Sequence, residues 1–85
     1  MFTVYALYSP LYKKIYIGYT KDLNKRILRH NKLNKSGFTA RYRPWEIIYT
    51  EPQPTLYDAL HRENELKSSR GRAYIWQIIE DQYPH

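Results

Sequence analysis

The segment YIGYT at residues 16–20 decides how the chain begins to fold, because it echoes VYALYS at residues 4–9. Both are short, rich in tyrosine and aliphatic side chains, and suited to the half-buried surface of a strand. Ser9-Pro10 stops the first, and the brief SPLYKK between them reads as a hairpin connection, so strands are expected over residues 2–9 and 14–19. Alternation sets Tyr5 and Leu7 on one face, with Val4, Ala6 and Tyr8 on the other. In the second strand Tyr16 and Gly18 share a face opposite Ile15, Ile17 and Tyr19. A glycine inside a strand marks the close approach of another group. Four tyrosines on two adjacent strands either fill a core or face a site, and the rest of the chain bears on which.

Downstream, Thr20 is a candidate helix cap with Asp22 in the first turn, and the helix is expected to run to about Asn34, before KSGF. NKSGFTARYRP is the longest loop candidate; being basic and aromatic, it reads as a contact surface. WEIIYT at 45–50 follows Pro44 as a third strand, and EPQP reads as a turn. Thr55 with Asp58 three residues on resembles a capping box and opens a helix through about Ser69. Gly71 is expected to end it, and AYIWQII carries a third helix with Ile75, Ile78 and Ile79 as its apolar stripe. The order β-β-α-β-α-α predicts an α+β fold: a three-stranded antiparallel or mixed sheet flanked by helices. Eighty-five residues suit one domain, 1–85, with no room for a second core.

The absence of cysteine excludes disulfides, thiolate nucleophiles and cysteine-based zinc sites, so any metal is held by oxygen or imidazole. No apolar run is long enough to span a bilayer, and MFTVYALYS reads as a strand rather than a secretory leader, which points to a cytoplasmic protein. Charge is more informative. The net charge is +6, and residues 13–43 hold ten basic residues (Lys13, Lys14, Lys21, Lys25, Arg26, Arg29, Lys32, Lys35, Arg41 and Arg43) against one acid, Asp22. The other seven acids lie from Glu46 onward. A basic field interleaved with tyrosines attracts a polyanion, and nucleic-acid phosphate fits it better than a merely solvated face does.

Some polar residues sit where apolar ones are expected. At 100° per residue the second helix lines up Leu56, Ala59, Leu60 and Leu66, and Glu63 falls in the middle of that arc. A carboxylate there costs several kcal/mol if it stays charged and unpartnered. A buried ion pair, with Lys67 or an arginine, is one reading; a metal ligand or general base is the other. On the first helix Arg26 and His30 lie four apart, beside an inner side marked by Leu23 and Ile27. Arginine suits bidentate contact with phosphate, and histidine titrates near neutral pH. Together a carboxylate, an arginine, a histidine and strand tyrosines make a phosphodiesterase constellation. Glu63 would hold one Mg²⁺ or Mn²⁺, Arg26 would offset charge on the phosphate, and a tyrosine would orient or deprotonate water.

VYALYS, YIGYT, KDLNKRILRHN and RENELK, in that order, resemble the GIY-YIG nuclease domain over residues 3 to about 80. The closest likeness is to small single-domain members related to the amino-terminal domain of the excinuclease C subunit. The first motif appears as Thr3-Val4-Tyr5 in place of Gly-Ile-Tyr, and the second is intact as Tyr16-Ile17-Gly18. The resemblance implies that Tyr5, Tyr16, Arg26, His30 and Glu63 form the catalytic set, with Glu63 the metal ligand. It implies metal-dependent hydrolysis of a DNA phosphodiester, in repair or processing. The basic residues Lys13, Lys14, Lys21, Lys25, Arg29, Lys32, Arg41 and Arg43 are the candidate nucleic-acid contacts. Many members also carry an asparagine about a dozen residues after the glutamate, where this chain has AYIWQ, and many have a separate targeting domain. Structure-selective or weakly specific cleavage by a monomer follows, with specificity from the domain or a protein partner. The alternative is a module that binds DNA or RNA on the same fold without cutting.

Overall fold

A computed structural model describes residues 1–83. Strand β1 (Phe2–Ser9) is central, flanked by β2 (Lys14–Thr20) and β3 (Glu46–Gln53), and both pairings are antiparallel. Between β2 and β3 lie α1 (Leu23–Leu28), a π-helical turn (Arg29–Leu33) and the four-residue α2 (Phe38–Arg41). After β3 come α3 (Leu56–Lys67) and α4 (Ser69–Gln82). This is the expected α+β arrangement, and the sheet is wholly antiparallel.

The hairpin register pairs Tyr5 with Gly18 and Leu7 with Tyr16, so the two faces separate as alternation requires. Val4, Ala6, Tyr8, Ile15 and Ile17 face α3 and α4, where Ala59, Leu66, Ile75 and Ile79 complete an aliphatic core. Tyr5 and Leu7 pack on the opposite face with Trp45, and Tyr16, Leu23, Ile27 and Tyr42 close around them. The hairpin turn is held by Lys13 N–H donating to the Ser9 carbonyl at 2.7 Å, and Lys13 adopts a left-handed φ of 55°.

Several boundaries differ from the sequence reading. Thr20 remains in the ladder, paired with Thr3, and Asp22 caps α1, its carboxylate accepting Lys25 N–H at 3.1 Å. The helix expected to reach Asn34 widens after Leu28 into the π turn, closed by Asn34 N–H on the Arg29 carbonyl at 2.9 Å. β3 continues through the expected turn EPQP as far as Gln53, because an edge strand accepts a proline. The long loop contains α2, which begins at Gly37 with φ 97°, a conformation that suits only glycine well.

The break between α3 and α4 is made by Ser68, not Gly71. Ser68 leaves helical geometry, donates its hydroxyl to the Glu65 carbonyl at 2.6 Å and accepts Gly71 N–H at 3.2 Å. Gly71 lies inside the first turn of α4, where a Cβ would stand 2.2 Å from the Glu65 carbonyl oxygen. Its missing side chain lets the two helix backbones meet. Thr55 caps α3 as expected, accepting Asp58 N–H at 3.1 Å. The buried side of α3 runs through Ala59 and Leu66, whereas Leu56 and Leu60 are 47% and 40% exposed. Glu63 therefore flanks the apolar stripe rather than centring it. Among the described residues, no helix is long and apolar enough to cross a membrane.

Candidate functional site

An open cleft of about 510 Å³ forms where the β1–β2 hairpin meets α1 and α3. Tyr5, Tyr16, Arg26 and Glu63 all line it, brought from four elements. Phe2, Gly18, Tyr19, Thr20, Lys21 and Asp22 complete the wall. Gly18 is what lets the tyrosines converge: a Cβ there would lie 2.8 Å from the Tyr5 hydroxyl and 3.1 Å from the Tyr16 ring.

Tyr5 is fully buried, and its hydroxyl is hydrogen-bonded to His30 Nε2 at 2.9 Å. The Tyr16 ring packs against that histidine, with centroids 4.7 Å apart. Burial, reinforced by the neighbouring Tyr16, pushes the Tyr5 phenol well above its ordinary value despite Arg26. Burial and the Arg26 charge lower His30 to about 4, so it is a neutral imidazole at pH 7. His30 belongs to the site as a partner of Tyr5 and does not line the cleft wall. Its Nδ1 is buried with no hydrogen-bond partner.

The π turn that carries His30 is tied to the segment before β3. Asn31 clasps the Trp45 backbone, donating to its carbonyl at 3.1 Å and accepting its N–H at 2.7 Å. Trp45 Nε1–H donates in turn to the Thr39 carbonyl at 2.8 Å. Arg43 donates Nε–H to the His30 carbonyl at 2.8 Å and a second N–H to the Asn34 carbonyl. Half-buried and spending these donors inside the fold, Arg43 stands apart from the other candidate nucleic-acid contacts.

Those others are exposed but do not form one row. Lys21 is on the cleft wall, and Lys25 and Arg29 line a smaller hollow of about 90 Å³ that shares Thr20, Asp22 and Arg26 with it. Lys32 is exposed on the π turn and Arg41 at the end of α2. Lys14 stands over the Tyr42 ring at 5.4 Å. Lys13 turns to the α4 side, beside Tyr8 and Trp76.

Glu63 is 13% exposed, and its carboxylate lies 3.5 Å from Lys67 Nζ, so the expected ion pair and a place on the cleft coexist. Among the described residues no three His, Asp or Glu side chains gather into a metal cage. One carboxylate beside phenolic oxygens, open to water, fits a hard cation such as Mg²⁺ that keeps most of its waters and binds phosphate. No α4 residue lines the cleft, so AYIWQ supplies no further ligand from there. The sequence reading missed the Asn31 clasp and the inward role of Arg43. An asparagine deep in a helical stretch, a poor helix former that seeks backbone partners, was the available signal for the first.

A family model described as the GIY-YIG catalytic domain matches residues 1–80. A UPF0213 protein of Staphylococcus epidermidis is 41% identical over 66 residues, covering 78% of this chain and 80% of its own length. One from Staphylococcus saprophyticus shares the same identity and coverage, and one from Staphylococcus aureus is 39% identical over 54 residues, 64% of this chain and 66% of its own.

Proposed function

Because the chain belongs to the GIY-YIG catalytic-domain family, we propose that it is a divalent-metal-dependent DNA endonuclease, structure-selective or weakly specific, acting in repair or processing. The observation that carries this reading is the meeting of Tyr5, Tyr16, Arg26 and Glu63 in one cleft beside exposed lysines.

The roles follow from the environments. Arg26 binds the scissile phosphate and offsets the charge that grows on it as water attacks phosphorus. Glu63 would hold the cation, which neutralises phosphate charge when bound. Tyr5, kept protonated by burial and tied to neutral His30, orients rather than abstracts. Half-exposed Tyr16 is better placed to contact the attacking water, because it reaches solvent while its ring rests on His30. Lys67 lies 3.5 Å from one Glu63 oxygen, which leaves the other carboxylate oxygen to hold a cation. Lys21, Lys25 and Arg29 extend the positive surface beyond the cleft and bind flanking phosphates.

The test is cleavage of labelled branched, flapped, nicked and plain duplex DNA by the wild type and Glu63→Gln, with Mg²⁺ or Mn²⁺ and with chelator. Cutting that chelator and Glu63→Gln both abolish is the expected outcome. Equal, salt-sensitive binding by both proteins without any cutting would replace the nuclease with a nucleic-acid-binding module.

A further inference from the structure

We propose that the tip of the β1–β2 hairpin and α2 together form a stacking platform for unpaired bases of a DNA strand whose phosphate lies in the cleft. The inference rests on the nuclease reading of the cleft and adds the feature of the substrate that is selected.

Tyr12 and Phe38 are 46% and 45% exposed, and both rings meet Tyr42, at centroid distances of 5.4 and 4.9 Å with near edge-on geometry. Two exposed rings thus gather on a third, part-buried one, at the surface of a small domain. Lys14 stands 5.4 Å over the Tyr42 ring, and Lys35 and Arg41 flank Phe38 around a shallow hollow. No acid joins the lining of that hollow. Aromatic rings interleaved with cations match a strand that offers base faces and phosphates alternately, whatever its sequence.

Rigidity favours the same occupant. Phe38 rests on buried Trp45, with centroids 5.8 Å apart, and Trp45 is fixed through the Thr39 carbonyl and Asn31. The rings are held before a base arrives, which lowers the entropy cost of binding. The platform also lies close to the cleft, the two being joined through the interior by buried Trp45. From Tyr16 the aromatic contacts run to Trp45 at 6.4 Å, then to Phe38 at 5.8 Å, then to Tyr42 at 4.9 Å. At about 3.4 Å per stacked nucleotide, that chain of contacts limits the separation of Tyr16 and Tyr42 to about five nucleotides. A continuous duplex has no free base faces to offer at this distance, whereas a flap, a tail or a frayed junction does.

The experiment measures binding in chelator, with no cleavage, of a blunt duplex and a single-strand-tailed duplex of equal total phosphate, the tail carrying 2-aminopurine. Wild type is expected to bind the tailed DNA about 10-fold tighter than the blunt one and to change the 2-aminopurine emission. Tyr12→Ala, in an exposed turn, is expected to lose most of that preference while its affinity for blunt duplex stays the same. Lys14→Gln should weaken both DNAs and flatten the salt dependence by about one unit of slope. A wild type that binds both DNAs equally, or a Tyr12→Ala that keeps the preference, overturns the platform. So does a Tyr12-dependent dimer seen by sedimentation without any tail preference, which would make the patch a contact between copies of the chain. A tail preference without cleavage in Mg²⁺ would sink the nuclease reading and leave the platform standing.

Discussion

The two faces of the sheet are drawn from the same strands, residue by residue in alternation, yet they enclose unlike interiors. Toward α3 and α4 the buried side chains are mainly aliphatic and the helices are regular, with an ion pair, Arg62 to Glu51, toward the edge strand. Toward the segment between β2 and β3 lie Tyr5, Tyr16, Trp45 and His30, a π turn and a set of side-chain-to-backbone hydrogen bonds. The difference teaches where stability and chemistry are kept. Aliphatic burial is non-directional and tolerant of detail, whereas the aromatic face depends on individual hydrogen bonds, each of which must be made.

Four measurements break or sharpen that contrast. The largest effect is expected on the aliphatic face, where Leu66→Ala should cost about 2–5 kcal/mol by urea denaturation, through lost burial and a residual cavity. A cost smaller than that of Tyr5→Phe would contradict the division of labour. Next comes acid. His30 titrates at about 4 in the folded chain against 6.5 unfolded, so on acidification the unfolded chain takes up that proton first. Its contribution is complete above about pH 6.5 and is lost as pH falls toward 4, on the order of 3 kcal/mol at most. Denaturation curves of wild type and His30→Gln at both ends of that range test this. The variant should lack that part of the loss, and parallel losses would remove His30 as the cause.

Tyr5→Phe follows, with an expected stability cost of about 1–2 kcal/mol for the unpaired imidazole and a cleavage rate lowered about 100-fold. An unchanged rate would make the buried hydrogen bond purely structural. The smallest effect has the opposite sign: Lys13→Gly relieves a left-handed φ and should stabilise by up to about 1 kcal/mol, read as a shifted unfolding midpoint.

The same contrast explains what was legible in the sequence. Period-two alternation separated Tyr5, Leu7 and Tyr16 from Val4, Ala6, Tyr8, Ile15, Ile17 and Tyr19 as the structure does, since one buried face fixes register. Glu63 was conspicuous because a carboxylate in the middle of an apolar arc needs a partner; the structure sets it at the edge of the buried stripe and gives it both Lys67 and the cleft. The π turn was illegible, because Leu23, Ile27 and His30 suit an α-helix as well as a widened one. Gly71 read as a stop because glycine commonly follows a helix, whereas its actual cause is a backbone contact with Glu65 that no local pattern records. Arg43 and Asn31 find their partners across the fold, where short-range spacing carries no information.

Ser68 leaves no slack between α3 and α4. Its hydroxyl bridges the end of one helix and the start of the next, and Gly71 brings their backbones into contact. The two helices therefore behave mechanically as one bracket, with Ile75 and Ile79 of one arm and Ala59 and Leu66 of the other seated on the aliphatic face, and Glu63 carried by the second arm to the cleft. Amides around the corner should exchange hydrogen only when the bracket detaches from the sheet. A change that loosens α4 would then reach the carboxylate in the cleft only through the core that Ala59 and Leu66 share with Ile75 and Ile79, while Tyr5, anchored in the central strand, would hardly move.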